Sequence, residues 1–239
     1  MKRPDEQYEV TVIIPCGRGH ARYVRRAIDS CLDADPRPDA IIVIDDCSNP
    51  PVREFHNDIV TFLRLTEHRG RSYARNHAVS FAKTRWLFFL DSDDVMEPTA
   101  IKDFRENCVD RFADIFYADY WVNNGSDKKE TYVQPPVDAN RRMRCAKTYN
   151  PANIGMFVKR GRFYKIGGFD EDMTYAEYSD FFFRYIANPK IVIVKNARPL
   201  FTASVSTSAE DDAEKKMAMG IKKVYAMIKG GYYKDWIRK

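Results

Sequence analysis

Two short apolar runs in this chain stop abruptly in clusters of acid. Residues 40–44 (AIIVI) run into Asp45-Asp46, and residues 86–90 (WLFFL) run into Asp91-Ser92-Asp93-Asp94. Such runs are too short to span a membrane and too continuously apolar for a strand with one wet face. They read as strands buried on both faces, the usual state of strands in a parallel sheet. Residues 10–14 (VTVII), closed by Pro15 and Gly17, read the same way. Between the 10–14 and 40–44 runs, Tyr23, Ala27, Ile28, Cys31 and Leu32 recur at helical spacing, which predicts a helix over 20–33. Further along, the pattern predicts a strand over 59–65, a helix over 72–83, a helix from Pro98 to about Val109 and a strand over 115–118. The alternation predicts an α/β fold, a mainly parallel sheet flanked by helices. Ligands bind such sheets beyond the carboxyl ends of their strands, so both acidic clusters are expected in one crevice.

Composition narrows the class. With 239 residues, 44% apolar and 31% charged, the chain is neither disordered nor of low complexity and is long enough for a large core. Five cysteines without a CxxC pair argue against a zinc cluster or disulfide framework and for a reducing compartment. The charged start, MKRPDEQYEV, lacks the apolar stretch of a secretory signal, and a cytoplasmic location is expected. The net charge of +5 names no partner by itself, but residues 215–239 hold eight basic side chains and one acid. There Met217, Ile221, Val224 and Ile228 form a helical apolar stripe beside Lys222, Lys223 and Lys229. This suits a terminal helix docked on the core with a solvated basic face, or one that contacts an anionic membrane or an anionic acceptor.

The DSDD segment carries the most chemistry. Neighbouring carboxylates at the edge of a buried strand repel one another unless a cation or hydrogen-bond network compensates them. Mg²⁺ or Mn²⁺ fits, because such ions take one or two carboxylates and complete their shell with phosphate and water. The alternative is a solvated acidic turn capping the helix near Pro98. Asp45 and Asp46 have a similar alternative as a turn and capping pair.

The ordered set VTVIIP, IIVIDDCS, HRGRSYARNHAV, WLFFLDSDDVMEP, IGGFDED and EYSDFFFR resembles the GT-A-fold glycosyltransferases of the family 2 type, inverting enzymes that use nucleotide sugars. The resemblance spans about residues 10–206. It implies a GT-A, Rossmann-like single domain over 1–206, with 207–239 as a basic C-terminal helical extension. It also implies a role for each matching residue. Pro15 ends the first strand beside the nucleotide, and Asp46 accepts a hydrogen bond from the base, typically uracil N3–H, as an ionised carboxylate can. Arg75 faces the nucleotide pocket, while Asp91 and Asp94 bind nucleotide and Gly168 belongs to the substrate-binding GGFDE turn. Asp93, with Asp91, holds the Mn²⁺ or Mg²⁺ that bridges the diphosphate. The family's catalytic base is the Asp of a Glu-Asp pair, whereas this chain has Glu177-Tyr178. A tyrosine with a pKa near 10 is a poor base at neutral pH, so the role passes to Glu177 or Asp180, expected on one helical face toward the crevice.

A second departure is the segment FTASVS at 201–206, which lacks the histidine of many relatives. All four histidines, at 20, 56, 68 and 77, lie in the first third of the chain. His68, His77 and Arg71 read as surface polar groups. The expected partners are a nucleotide-sugar donor and a hydroxyl acceptor: a glycan first, with a lipid-linked acceptor or a hydroxylated nucleic-acid base as alternatives. A second copy of the chain and a peripheral anionic surface complete the set. Two other functions compete: a degenerate relative that binds sugar or nucleotide without turnover, and a nucleotidyltransferase, which would need further acids and a Gly-rich phosphate loop.

Overall fold

The computed structural model describes residues 8–108, 113–123, 130–132, 155–188, 190–196, 198–204, 219–220, 222–224 and 226–227. The chain begins β1 (Val10–Cys16), α1 (Ala21–Leu32), β2 (Ala40–Asp45), β3 (Val60–Arg64), α2 (Arg71–Phe81), β4 (Trp86–Phe89), β5 (Val95–Met96) and α3 (Ala100–Cys108). It continues with β6 (Ile115–Ala118), β7 (Tyr120–Asn123), β8 (Glu130–Tyr132), β9 (Met156–Lys159), α4 (Arg160–Lys165), α5 (Glu177–Ala187), β10 (Ile193–Asn196) and β11 (Phe201–Ser204).

All seven residues of β1 are buried, which follows from its place in the middle of a seven-stranded sheet of order β10-β6-β9-β4-β1-β2-β3. Successive side chains of a strand point to opposite faces, and the core divides accordingly. Val12 and Ile14 join Ile28 of α1 and Ile101 and Phe104 of α3 on one face. Ile13 joins Ala78 of α2 and Phe181 and Tyr185 of α5 on the other. The neighbours of β1 are parallel to it, and the expected α/β architecture is what forms. β9 is the exception within this sheet, running antiparallel between β4 and β6. A second sheet, β5-β11-β7-β8, continues from the acidic turn after β4.

This order places the site. The chain moves from β1 outward through β2 and β3, then returns to lay β4 on the opposite side of β1. The pairing of β1 with β4 ends at Ile13↔Phe89, while that with β2 continues to Cys16↔Asp45. Where the strand order reverses in this way, the loops on either side part and leave a crevice. Asp46 and Asp91 flank it, with Pro15 between them.

Part of the basic extension is described: Val224 is buried in the core, Met227 packs against that core, and Lys222 and Lys223 are exposed. The remaining stripe residues Met217, Ile221 and Ile228, and Lys229, lie outside the described residues.

The Phe104 ring stacks on Phe157 at 4.1 Å and meets Trp86 edge-on at 4.9 Å. Phe104→Ala is expected to cost about 3–5 kcal/mol, read as a lower urea midpoint at unchanged slope. Because α3 packs on the face away from α2 and α5, the fraction that remains folded should keep its ligand affinity.

Candidate functional site

The crevice is a cleft of about 540 Å³, and its lining includes Pro15, Asp46, Arg75, Asp91, Asp93 and Glu171. The two acids after β2 divide their work. Asp45 accepts from the backbone N–H groups of Ser48 (2.7 Å) and Val52 (3.1 Å) and pairs with Arg64, so it is the turn-holding residue of the pair. Asp46 faces the cleft. Its Oδ1 accepts from Arg69 N at 2.7 Å and its Oδ2 from Gly70 N at 2.9 Å, with His68 Nδ1 2.8 Å from Oδ2. Two carboxylate oxygens offer about four lone-pair sites, so Asp46 pins the 68–70 loop and keeps accepting capacity for a ligand N–H.

Arg75 is buried at 1% exposure and reaches in two directions. Its Nη2 donates to Asp91 Oδ1 at 2.6 Å and its Nη1 to Glu177 Oε1 at 2.9 Å. The Tyr178 ring lies under the guanidinium at 4.4 Å. Burial pushes the Tyr178 phenol well above its ordinary value, and its hydroxyl has no hydrogen-bond partner among the described residues. Tyr178 therefore serves as packing for Arg75 and cannot accept a proton from a substrate.

The DSDD turn is both buried and crowded with acid. Burial, then the Asp91 carboxylate, raises the pKa of Asp93; burial, then Asp91, raises that of Asp94 well above the usual carboxylate range. Asp94 Oδ1 accepts from Ser204 N at 2.9 Å, while its buried Oδ2 has no hydrogen-bond partner among the described residues. Among the described residues no three His, Cys, Asp or Glu side chains form a metal cage. Electron-rich carboxylates without a complete cage fit Mg²⁺ or Mn²⁺, which keep sites for phosphate and water. Asp93 and Asp91, which line the cleft, are the residues that would hold such an ion.

Four expected site residues are absent from the cleft lining, among them Asp94, which is buried with its Oδ1 turned to Ser204 N. Gly168 does not line the cleft. Its φ is +67°, and a Cβ there would lie 2.7 Å from Asn76 Oδ1, so the position needs glycine for the turn and for the Asn76 side chain. Asn76 in turn accepts from Phe169 N and donates to Phe169 O and Glu171 Oε1, all at 2.9 Å, which secures the GGFDE turn with Glu171 in the cleft wall. Asp180 is fully buried and bound to Arg184 Nε at 2.9 Å, with Arg184 Nη1 donating to Ile166 O. It turns into the core because the ion pair one helical turn away satisfies it there. Glu177 opens α5 at 2% exposure under Arg75, with Arg71 Nη1 3.8 Å away, and it too is absent from the cleft lining. The expected common face of Glu177 and Asp180 toward the crevice is thus corrected: both carboxylates are committed to arginines.

His68 and Arg71 line the cleft although they read as surface groups in the sequence, and Arg69 lines it between them. The available signal was their position immediately before α2, inside the HRGRSYARNHAV segment. His20, just before α1, stands 3.7 Å from Asp93, so a histidine reaches the acidic turn from the N-terminal side of the cleft.

Comparison with known proteins gives the family and the fold. The sequence profile of glycosyl transferase family 2 matches residues 11–171. The chain belongs to that family. An uncharacterized glycosyltransferase of Haemophilus influenzae is 26% identical over 171 residues, 67% of this chain and 56% of the relative. The poly(ribitol-phosphate) β-N-acetylglucosaminyltransferase TarP of Staphylococcus aureus is 29% identical over 122 residues, 48% of this chain and 37% of TarP. The chain thus spans little more than half the length of the first of these relatives and less of the second. Among solved structures, S. aureus TarS 1–349 in complex with UDP-GlcNAc superposes with a TM-score of 0.69 at 16% identity, covering 92% of this chain and 66% of that one. The Pyrobaculum calidifontis mannosyltransferase in complex with GDP-Man and Mn²⁺ gives 0.68 at 20% identity, covering 95% and 66%. These likenesses establish the GT-A fold for this family 2 chain.

The Asp94 shift has a measurable consequence. An acid whose pKa is raised on folding holds its proton more tightly in the folded state, so stability falls as pH rises from the ordinary aspartate value of 3.8 toward the folded value. Asp94→Asn removes that titration. In metal-free buffer, the difference in urea midpoint between variant and wild type should move in the variant's favour as pH rises from about 4 to about 7. A pH-independent difference would show that Asp94 titrates normally.

Proposed function

We propose that this family 2 protein is an inverting, metal-dependent glycosyltransferase that moves a sugar from a nucleotide sugar, in the first place a UDP-sugar, to a hydroxyl of a glycan. The observation that carries this reading is the convergence of Asp46, the Arg75–Asp91 pair and Asp93 around Pro15 in one cleft. Asp46 receives the base, and Asp91 and Asp93 face the diphosphate. Asp93 and Asp91 would hold a divalent cation there, and its charge would offset that of the departing diphosphate. TarP, whose name gives a poly(ribitol-phosphate) acceptor, supports a hydroxyl-rich polymer as acceptor, and the exposed Lys222 and Lys223 favour an anionic one. Among the described residues no helix is long and apolar enough to cross a membrane, and we place the activity in the cytoplasm.

Inversion needs a base on the acceptor side of the sugar. Of the two glutamates near the cleft, Glu177 is buried under Arg75, whereas Glu171 lies exposed in the cleft wall with its Oε1 on the Asn76 amide. We assign the base to Glu171 and a positioning role to Glu177, which fixes Arg75 and through it Asp91. Glu171→Gln is expected to lower kcat by about 10²-fold or more with donor KM little changed. Glu177→Gln is expected to raise donor KM, because it loosens the arginine that holds Asp91. The reverse pattern would return the base to α5.

Donor binding is tested separately. A ligand that binds only the folded state raises the melting temperature, so UDP with Mn²⁺ or Mg²⁺ should do so, and Asp93→Asn should remove the metal-dependent part. UDP, GDP and TDP all failing to shift melting, with and without metal, would overturn the nucleotide-sugar reading. The burial of Tyr178 where the family places its base favours one second reading, a relative that binds without turnover. Nucleotide-induced stabilisation without nucleoside diphosphate release from any nucleotide sugar is the result that would select it.

A further inference from the structure

A second groove, of about 590 Å³, adjoins the cleft, and the two share Met173, Thr174 and Tyr175 as a common wall. Its opposite wall is Met219, Gly220 and Lys223, from helical residues near the C-terminus that lie beyond the 11–171 family match. This wall is built into the fold. A Cβ on Gly220 would sit 2.6 Å from Tyr175 O and 2.9 Å from Tyr175 C, so the helix approaches that loop at backbone distance. Val224, one turn on, is buried at 1% exposure in the core, and Lys223 Nζ donates to Asp172 O at 3.3 Å. Met219, by contrast, is 68% exposed at the groove.

The lining combines an aromatic residue and two thioethers with the Thr174 hydroxyl, the Asp172 carboxylate and the Lys223 ammonium. A sugar ring has the matching character: an apolar C–H face edged by hydroxyl groups that donate and accept. The groove's volume lies in the ordinary range of ligand pockets. It opens beside Glu171, which lines the cleft next to the shared wall. We infer that this groove is the acceptor subsite, holding a saccharide unit of the acceptor glycan adjacent to the reacting hydroxyl. The inference rests on the donor assignment above. It adds that the C-terminal helix forms part of the active site.

The full chain labelled with ¹³C-methyl methionine provides the test, with Met173 and Met219 assigned through single Met→Leu variants. Maltotetraose, cellotetraose, chitotetraose and a ribitol-phosphate oligomer are added in turn, each with and without UDP and Mg²⁺. At least one should shift both the Met173 and Met219 methyl signals saturably. Met219→Asp, at an exposed position that leaves the fold intact, should weaken that saccharide by about fivefold or more, the scale for losing one apolar contact, with UDP affinity unchanged. Shifts at Met173 alone, or none at either methyl while UDP binds, overturn the groove assignment. Concentration-dependent shifts at Met219 without saccharide would overturn it too, showing that a second copy of the chain occupies the groove. Saccharide binding in the groove without any UDP binding would instead overturn the donor reading and leave the groove a carbohydrate site.

Discussion

The site depends on one buried cation. Arg75 leaves α2, passes over the Tyr178 ring and is shared between Asp91 beyond β4 and Glu177 at the start of α5. Those partners are 16 and 102 residues away in sequence. A buried guanidinium is tolerated only when its charge is answered by well-placed acceptors, and leaving a buried carboxylate without its cation costs about 3–5 kcal/mol. The fork of an arginine meets two carboxylates at once, which the point charge of a lysine does not reproduce. Three elements from distant parts of the chain are thereby fixed at one point, and the acidic turn is held against the sheet that generates it.

The sheet supplies the other constraint. β1 is flanked by parallel neighbours that arrive from opposite directions in the chain's winding, so the loops after β1, β2 and β4 open on the same edge. Acid at the ends of buried strands is unfavourable for folding alone. It becomes understandable under the proposed binding of a nucleoside diphosphate with a divalent cation. Burial, and after it the Asp91 carboxylate, push the pKa values of Asp93 and Asp94 upward, so the turn favours a proton or a cation.

Much of this was legible in the sequence because it depends on local patterns. Strands buried on both faces announce themselves as apolar runs, and β1, β2 and β4 lie where those runs do. Asp46, Asp91 and Asp93 reach the cleft because strand ends in parallel sheets do so as a rule. Strands of two to four residues, such as β5, β7, β8 and β9, are too short to show a period. The orientation of α5 was also hidden. Its first turn offers two acids three residues apart, and only the positions of Arg75 and Arg184 show that both turn inward. His68 was missed for a similar reason, since its partner Asp46 is 22 residues earlier, on a different element.

Arg75 and Asn76 are consecutive residues of α2, yet one grips the acidic turn and the other the GGFDE turn. A helix is stiff over so short a distance, so these two walls of the cleft are mounted on one rigid axle. Neither wall can be displaced without turning the other. The spacing between Asp91 and Glu171 is therefore tied to a single backbone step of α2.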